Sequence, residues 1–536
     1  MGVPAVTITV WIMFIVILVS SISKRWTLPQ PILLIVSGIF LSESPIFRSF
    51  RLDPATFFAL FIPPLLFVEG WQIPKRELLR NRYSVIFLGF GLVFATVAAV
   101  GYTVHWLIPS IPLAAAIALG AVVSPTDTVA LSAILDRLSL PKRLLYILGG
   151  ESLINDAAGL VSFKFAVAAV AVGTFSWPIA GSNFLWVAAG GGIVGLSISF
   201  TVQWMKRLLS RRGIEDPTIQ TSLSLVTPYF AYMAAEELSV SGILAVVAAG
   251  LLSGTFDARD LSGTLRIQAS NVWFMVTFIL EGFVFLMLGL QLPHVFSEIS
   301  SIPPLRLGEY GVLISLVTLL VRMLWVFSFS RLSWVLNRLH DPDLRPPPWS
   351  SVFLAGWLGV RGAITMAAAL SLPVTLHGEK FPGREMIIFL AGTVILLSML
   401  IPMLVLRPLI RWLSVQDDAT EESEERMARI GANLGAKEFL ERKREAEEGS
   451  VRKELISRLL REYELRIREL EEQTTGSDDV RRMLSEEQNL RLEAIAQEKQ
   501  ILHGLRGSRK IDDQTLRKIL LDLDFVEASL LRQRHR

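Results

Sequence analysis

The chain contains 536 residues, 52% of them hydrophobic, and carries a net charge of only +3 at neutral pH. Its mean hydropathy of +0.49 is too high for a water-soluble protein of this length. The small net charge gives no reason to expect a nucleic-acid partner. The absence of cysteine excludes disulfides, thiolate metal sites and cysteine nucleophiles.

Long apolar runs extend to about residue 412 and predict an all-α, polytopic membrane domain at 1–412. A membrane-spanning helix needs roughly 20 apolar residues, and on this criterion we predict about thirteen spans. The first run lacks the basic start of a signal peptide, so we interpret it as a span. The predicted spans are 4–21, 30–43, 54–71, 84–107, 111–135, 147–173, 185–205, 218–236, 239–255, 272–291, 309–330, 350–372 and 385–408.

Residues 413–536 are highly charged and predict a C-terminal cytoplasmic domain of amphipathic helices. Leu and Ile recur at helical spacing between charged residues, as at Leu455, Leu459 and Leu516. Breaks are expected at Gly449–Ser450 and at 474–477. No catalytic motif or nucleotide loop is present, so we expect no enzyme; a solvated charged domain and a regulatory or dimer-supporting domain both stay open.

Alternate loops differ in their content of Lys and Arg, which sets the expected orientation in the membrane. One set of loops carries 18 such residues and the other set carries 5. Because short loops rich in Lys and Arg stay in the cytoplasm, we expect an inner (plasma) membrane protein with its N-terminus outside and its C-terminal domain inside.

Two polar motifs interrupt the apolar spans: S-P-T-D-T at 124–128 in the fifth span and G-E-S-L-I-N-D at 150–156 in the sixth. An ionisable group at the centre of a membrane helix costs about 3 kcal/mol on insertion scales, so such groups mark ion sites, proton relays or ion pairs. At ~1.5 Å per residue, Asp127 and Asp156 lie ~12 Å and ~14 Å from the inner ends of their spans. Three more charges fall at a similar depth of roughly 12–17 Å, namely Glu281, Arg322 and Arg361.

The fifth and twelfth spans are expected to be broken in mid-membrane. Pro125 removes a backbone donor from the fifth span, and Gly359 and Gly362 flank Arg361 in the twelfth. Interrupted spans at matching places of two halves are typical of inverted-repeat transporters. Asp127 would then offset the positive ends of half-helices, and Arg361 would lie by their carbonyl ends.

The sixth span places oxygen-bearing side chains on shared helix faces. Ser152 and Asp156 are four residues apart, as are Glu151 and Asn155. Carboxylate, hydroxyl and amide oxygens are hard ligands that suit Na+ or Li+, and no His or Cys is near to favour a transition metal. The pattern indicates a site for a small cation and a proton.

Six motifs together resemble the monovalent cation:proton antiporters of the Na+/H+ exchanger class, and are most similar to bacterial NhaP-like members. They occur in order over residues 1 to about 412. One departure is Thr128, where many members carry proline, so Pro125 alone would break the helix. The motifs are S-P-T-D-T, G-E-S-L-I-N-D-A-A-G-L, S-G-I-L-A-V-V-A-A-G (Ser241–Gly250), E-G-F-V-F-L-M-L-G-L (Glu281–Leu290), L-L-V-R-M-L-W (Leu319–Trp325) and G-V-R-G-A-I (Gly359–Ile364).

The resemblance implies roles for individual residues. Asp156, next to Asn155, would be the carboxylate that binds the transported ion. Asp127, Ser152 and Thr126 would supply further Na+ ligands. Glu151 and Asn155 would belong to the same ion- and proton-binding site, and Glu151 would also pair with Arg322. Glu281 and Arg361 are expected to be cavity or crossing-helix charges. Electrogenic relatives carry two adjacent carboxylates and a titratable Lys instead, so we expect 1:1 electroneutral exchange here.

Three other interpretations stay open at this stage. A K+/H+ antiporter would have the same fold, a cation channel would need a continuous pore, and a membrane receptor would need a recognisable output domain. We expect Na+ (or Li+) and H+ as cargo, no cofactor, elevator-type alternating access in pH and sodium homeostasis, and a homodimer in the bilayer. Lys164 lies ~25 Å from the inner face and is expected to be structural.

Overall fold

The computed structural model forms two units, at Met1–Asp417 and Asp418–Arg536. Helices account for nearly all of the described residues, as the sequence predicted. The structure describes residues 3–26, 29–44, 47, 53–128, 130–131, 140–172, 177–214, 216–300, 302–340, 346–376, 378–413, 419–447, 449–472, 478–508 and 513–534.

The helices of the first unit divide between two halves of the sequence. Its first half contains α1 (Val3–Trp26), α2 (Gln30–Leu41), α3 (Pro54–Gln72), α4 (Lys75–Arg80), α5 (Arg82–Ile86), a π-helical turn (Phe87–Gly91), α6 (Leu92–Leu107), α7 (Leu113–Val123) and α8 (Lys142–Val172). Its second half contains α9 (Trp177–Arg211), α10 (Pro217–Glu237), α11 (Gly242–Asp260), α12 (Gly263–Glu298), α13 (Pro304–Arg338), α14 (Trp349–Trp357), α15 (Ala363–Leu370), the antiparallel strands β1 (Thr375–Leu376) and β2 (Glu379–Lys380), and α16 (Arg384–Trp412).

Among the described residues, nine helices are long and apolar enough to cross a membrane, and α2 and α7 are shorter apolar helices. The exact count of thirteen spans stays a prediction. The helices α9, α12 and α13 are 35 or 36 residues long and run well past the predicted spans. Hydropathy marks only the apolar part of a helix, and these helices continue into polar residues at their ends.

Side-chain caps fix several helix starts. Asp53 accepts a hydrogen bond from the Thr56 backbone N–H at 2.8 Å, and proline occupies the first position of α3. Asp216 caps α10 in the same way, through the N–H of Thr218 at 2.7 Å. These caps satisfy donors that the first turn of a helix leaves free.

Most contacts in the first unit lie within two bundles. The scaffold bundle contains α1–α3 and α9–α12, with the tightest packing between α2 and α12, between α9 and α11, and between α3 and α11. The core bundle contains α5–α8 and α13–α16. Fewer contacts join the bundles, mainly from α12 to α15 and α16 and from α3 to α15.

The second unit consists of two helical hairpins. The helices α17 (Ala419–Glu445) and α18 (Ser450–Glu472) pack together, as do α19 (Asp478–Gly507) and α20 (Asp513–Arg534). Lys437 bonds Glu464 at 3.0 Å across the first hairpin. The break expected at Gly449–Ser450 coincides with the start of α18, and the break expected at 474–477 lies outside the described residues.

The crossing of α2 and α12 depends on two facing glycines. A Cβ placed on Gly289 would lie 2.8 Å from the Cα of Gly38 and would meet the carbonyl of Ile35. The backbones therefore touch, as small-residue interfaces between membrane helices allow.

We expect Gly289→Ala to destabilise the scaffold bundle by about 1–3 kcal/mol through overpacking. The matched control is Gly308→Ala, because Gly308 lies on α13 with nothing within 4 Å of its would-be Cβ. That control should be neutral, or more stable by about 0.5–1 kcal/mol. Melting temperatures in detergent measure both effects, and equal shifts for the two variants would contradict the close crossing.

A candidate ion site at two broken helices

Two helix breaks lie against each other in the core bundle. The helix α7 ends at Val123, residues 124–127 are non-helical, and helical structure resumes at Thr128. The break between α14 and α15 covers 358–362. The backbone N–H of Asp127 donates to the carbonyl of Val360 at 2.8 Å, so one break hydrogen-bonds the other. Pro125 and Gly362 occupy the two breaks, as the sequence predicted.

Asp127 caps the start of two half-helices at once. Its Oδ1 accepts the backbone N–H of Ala130 at 2.8 Å, and its Oδ2 accepts the backbone N–H of Ala363, at the start of α15, at 3.1 Å. A helix N-terminus carries partial positive charge. One carboxylate therefore compensates two helix ends.

Two buried arginines cap the opposite helix ends. Arg361 donates from Nε to the carbonyl of Val123, the last residue of α7, at 3.1 Å. Arg322 donates from Nε and Nη2 to the carbonyl of Ala355 in the last turn of α14, at 3.1 and 2.9 Å. Cations at helix C-termini satisfy free carbonyl groups and oppose the negative end of the dipole.

Glycine is required where these side chains cross the break. A Cβ on Gly362 would overlap the carboxylate of Asp127, and a Cβ on Gly359 would lie 2.6 Å from Cδ of Arg322. Neither Asp127 nor Arg322 can move away without breaking the hydrogen bonds by which it caps a helix end. The G-V-R-G sequence is therefore fixed by space as well as by charge.

Arg322 also forms a two-pronged ion pair with Glu151 of α8, the partner that the sequence analysis assigned to it. One prong joins Nη1 to Oε1, and the other joins Nη2 to Oε2 at 2.9 Å. The side chain of Glu151 is fully buried and that of Arg322 is 1% exposed. Such a pair neutralises both charges, and Glu151 is not available as a lone anionic ligand.

Thr126 connects α8 to the break. Its carbonyl accepts the hydroxyl of Ser152 at 2.8 Å, and its hydroxyl accepts Nδ2 of Asn155 at 2.8 Å. The Thr126 hydroxyl donates in turn to Glu151 at 3.3 Å. The residues that the sequence analysis selected on α8 thus converge on this segment.

Three oxygen atoms beside this network are buried and accept no hydrogen bond from any residue that the structure describes. They are Oδ2 of Asp156, Oδ1 of Asn155 and Oε2 of Glu69. Asp156 is 2% exposed, and its carboxyl group lies within hydrogen-bonding reach of that of Glu69 on α3. Two carboxyl groups this close in a buried place are stable only if a proton or a cation lies between them.

Glu69 is the functional candidate that the sequence analysis missed. It lies within the predicted span 54–71, so the same rule that selected the other intramembrane charges applies to it. The five charges of the predicted site share a depth of roughly 12–17 Å. Glu69 lies two residues from the inner end of its predicted span, at ~3 Å by the same count, so depth does not select it; its position beside Asp156 follows only from the packing of α3 near α8.

Glu281 on α12 is partly buried and lies close enough to Asp127 and Glu69 to interact with them electrostatically. One turn earlier on the same helix, the buried hydroxyl oxygen of Thr277 has no partner within the described part of the chain. Glu281 is therefore one of several carboxyl groups near the boundary between the bundles.

The arrangement suits the binding of one small positive ion. Asp127, Arg361 and the Glu151–Arg322 pair are occupied in holding the broken helices, whereas Asp156 and Glu69 retain free acceptor oxygens. Carboxylate, amide and hydroxyl oxygens are hard ligands for alkali cations. The same carboxylates also accept a proton, so a cation and a proton would compete for them.

Comparison with known proteins gives consistent matches. Residues 10–412 match the family model described as "Sodium/hydrogen exchanger, transmembrane". An uncharacterised Na+/H+ exchanger of Escherichia coli K-12 is 37% identical over 98% of this chain and 99% of its own length. A sodium, potassium, lithium and rubidium/H+ antiporter of Bacillus pumilus is 37% identical over 95% of this chain and 75% of its own length.

The sodium proton antiporter MjNhaP1 of Methanocaldococcus jannaschii, solved at pH 8, has a similar fold. It superposes with a TM-score of 0.58 over 76% of this chain and 98% of that structure, at 18% sequence identity. This likeness shows the fold alone.

We expect Glu151→Gln and Arg322→Gln each to destabilise the protein by about 3–5 kcal/mol, because each leaves an uncompensated buried charge. The double variant should lose less than the sum. Arg322→Gln should cost more than Glu151→Gln, since Arg322 also caps α14. Unfolding in detergent measures the three losses. Removal of the half-exposed Glu462–Arg466 pair is the control, expected to cost about 0.2–1 kcal/mol; strictly additive losses would show that Glu151 and Arg322 do not interact.

Proposed function

Because the chain belongs to the sodium/hydrogen exchanger family, we propose that it exchanges Na+ or Li+ for H+ across the membrane, one for one and without net movement of charge. The family and fold are those of cation/proton antiporters. A channel and a receptor, the two other classes considered from the sequence, receive no support from either.

The observation that carries the proposal is the set of three unsatisfied buried oxygens on Asp156, Asn155 and Glu69. Buried polar atoms in native proteins are nearly always hydrogen-bonded. Three acceptors with no donor in the described part of the chain, two of them from carboxylates, match a site whose natural partner is a cation or a proton. Ser152, Thr126 and Asp127 lie alongside and would add neutral or shared oxygens to a bound Na+.

The exchange follows from the charges at this site. Asp156 and Glu69 together tolerate one positive charge between them, supplied by either a proton or a cation. Arg322 and Arg361 are engaged at helix ends, and Glu151 is neutralised by its ion pair. The two loaded forms therefore carry the same net charge, which gives electroneutral 1:1 exchange.

Access would alternate by movement of the core bundle against the scaffold bundle. Asp156 lies on α8 in the core, and Glu69 lies on α3 in the scaffold, so the bound ion sits at the boundary between them. A loaded site can move, because its charge is compensated. An unloaded pair of carboxylates is costly to enclose in a low-dielectric place, which prevents leakage.

Potassium is a second candidate cargo. The proteins of Bacillus pumilus and Bacillus subtilis are named for sodium, potassium, lithium and rubidium, and the second is 41% identical over 74% of this chain and 60% of its own length. Adding NaCl, LiCl, KCl or RbCl to proteoliposomes with a preset pH gradient separates a narrow from a broad cargo range.

We also propose a plasma-membrane homodimer, with the C-terminal unit in the cytoplasm, that serves pH and sodium homeostasis.

We expect Asp156→Asn to reduce cation-driven proton movement to the level of protein-free liposomes, because an amide cannot exchange a proton for a cation. Glu69→Gln should retain exchange only with a raised KM for Na+. Glu309→Gln, at an exposed position early in α13, is the control and should match the unmodified protein. Exchange by Asp156→Asn at the unmodified rate would refute the proposal.

We expect transport to be independent of membrane potential. A valinomycin-imposed potassium diffusion potential should change neither the rate nor the end point of the Na+-driven pH change in proteoliposomes. A shifted end point would mean that Glu69 and Asp156 each exchange a proton of their own. The stoichiometry would then exceed one proton per cation.

A further inference from the structure

One ion pair joins the two bundles away from the ion site. Lys164 of α8, in the core, bonds Oε1 of Glu236 of α10, in the scaffold, at 2.5 Å. The helices α8 and α10 are not otherwise closely packed. Lys164 lies two turns past Asp156 on the same helix, ~12 Å from it, toward the end opposite the basic residues at the start of α8.

Side chains of the scaffold bundle form a binding site for the ammonium group of Lys164. Its ammonium group lies 5.4 Å from the ring centre of Tyr232 and 5.7 Å from that of Phe58. Aromatic faces within about 6 Å attract a cation. An anion and two aromatic rings, all supplied by α3 and α10, therefore surround one charge supplied by the core.

Glu236, the acidic residue of this binding site, is held in position by contacts that do not involve Lys164. Oε1 of Glu236 also accepts the backbone N–H of Gly242, at the start of α11, at 3.2 Å. The turn between α10 and α11 contains Ser239 with a φ of 55°, a left-handed backbone conformation that is uncommon for serine. The backbone thus fixes Glu236 in place, whereas Lys164 has a long, flexible side chain.

We propose that Lys164, Glu236, Tyr232 and Phe58 form a latch that holds the bundles together on this side and must open in every transport cycle. This inference rests on the proposed exchange by movement of one bundle against the other. The two side chains are 38% and 39% exposed, so the pair is not enclosed by protein and can break and re-form. A buried pair such as Glu151–Arg322 would be too costly to open.

The chain contains no cysteine, so an engineered pair of thiols is the only one present. In proteoliposomes, Lys164→Cys/Glu236→Cys should exchange ions before cross-linking. A short, reducible bifunctional thiol reagent should then lower the rate at least about 10-fold, and a reductant should restore it. Restoration shows that the protein stayed folded.

The control joins two helices of one bundle. The hydroxyls of Ser199 on α9 and Ser253 on α11 lie 2.8 Å apart within the scaffold. Ser199→Cys/Ser253→Cys should form a disulfide without loss of exchange. Unchanged exchange in the fully cross-linked Lys164/Glu236 pair overturns the latch, whereas absence of exchange in the unmodified protein overturns the proposed function.

A second measurement uses charge alone. Glu236→Gln should change kcat by roughly 1.5- to 5-fold, the range that a partly exposed ion pair supports. Lys164→Gln should change it in the same direction and at least as much, because it also removes the aromatic contacts, and the double variant should match Lys164→Gln. Gln at position 236 still accepts the N–H of Gly242. KM for Na+ should not change, because the latch does not touch the ion. Independent, multiplicative effects on kcat would overturn the latch.

Discussion

The backbone N–H and C=O groups at the ends of broken helices need hydrogen-bond partners within the protein, because the hydrocarbon of a membrane contains no water to bond them. In this protein three charged side chains meet that requirement. Asp127 serves two N-termini, and Arg361 and Arg322 serve the C-termini of α7 and α14. Each charge is itself stabilised by the helix end that it caps. The ion site is therefore supported by buried charges and broken helix ends that stabilise each other.

These helix caps also explain which carboxylates remain available to bind an ion or a proton. Asp127 is engaged by backbone donors and Glu151 by Arg322, so neither acts as a lone anion. Asp156 and Glu69 have buried oxygens with no donor among the described residues. They come from different bundles, so the ion or proton bound between them also connects the two bundles. Binding of the ion and contact between the bundles therefore occur together.

The sequence predicted the features that local chemistry dictates. Proline and glycine flanking an intramembrane charge indicated both breaks, and four-residue spacing placed Ser152 and Asp156 together. Sequence could not show which helices meet. Glu69 and Glu236 matter because they reach residues of α8, Glu69 at Asp156 and Glu236 at Lys164, and hydropathy carries no signal of such contacts. The helices α9, α12 and α13 also extend beyond the predicted spans, since polar residues continue them past the apolar runs.

The double engagement of Asp127 affects how the residue can be studied. Asparagine is the usual neutral replacement for aspartate because the two have the same shape. Here each carboxylate oxygen accepts a different backbone N–H. An amide offers one acceptor and one donor, so its NH2 group would face a peptide N–H and leave that donor buried without a partner, at about 1–3 kcal/mol. Loss of activity in Asp127→Asn would therefore report a misfitted helix junction as readily as a lost ion ligand, and the two meanings separate only when folding is measured beside transport.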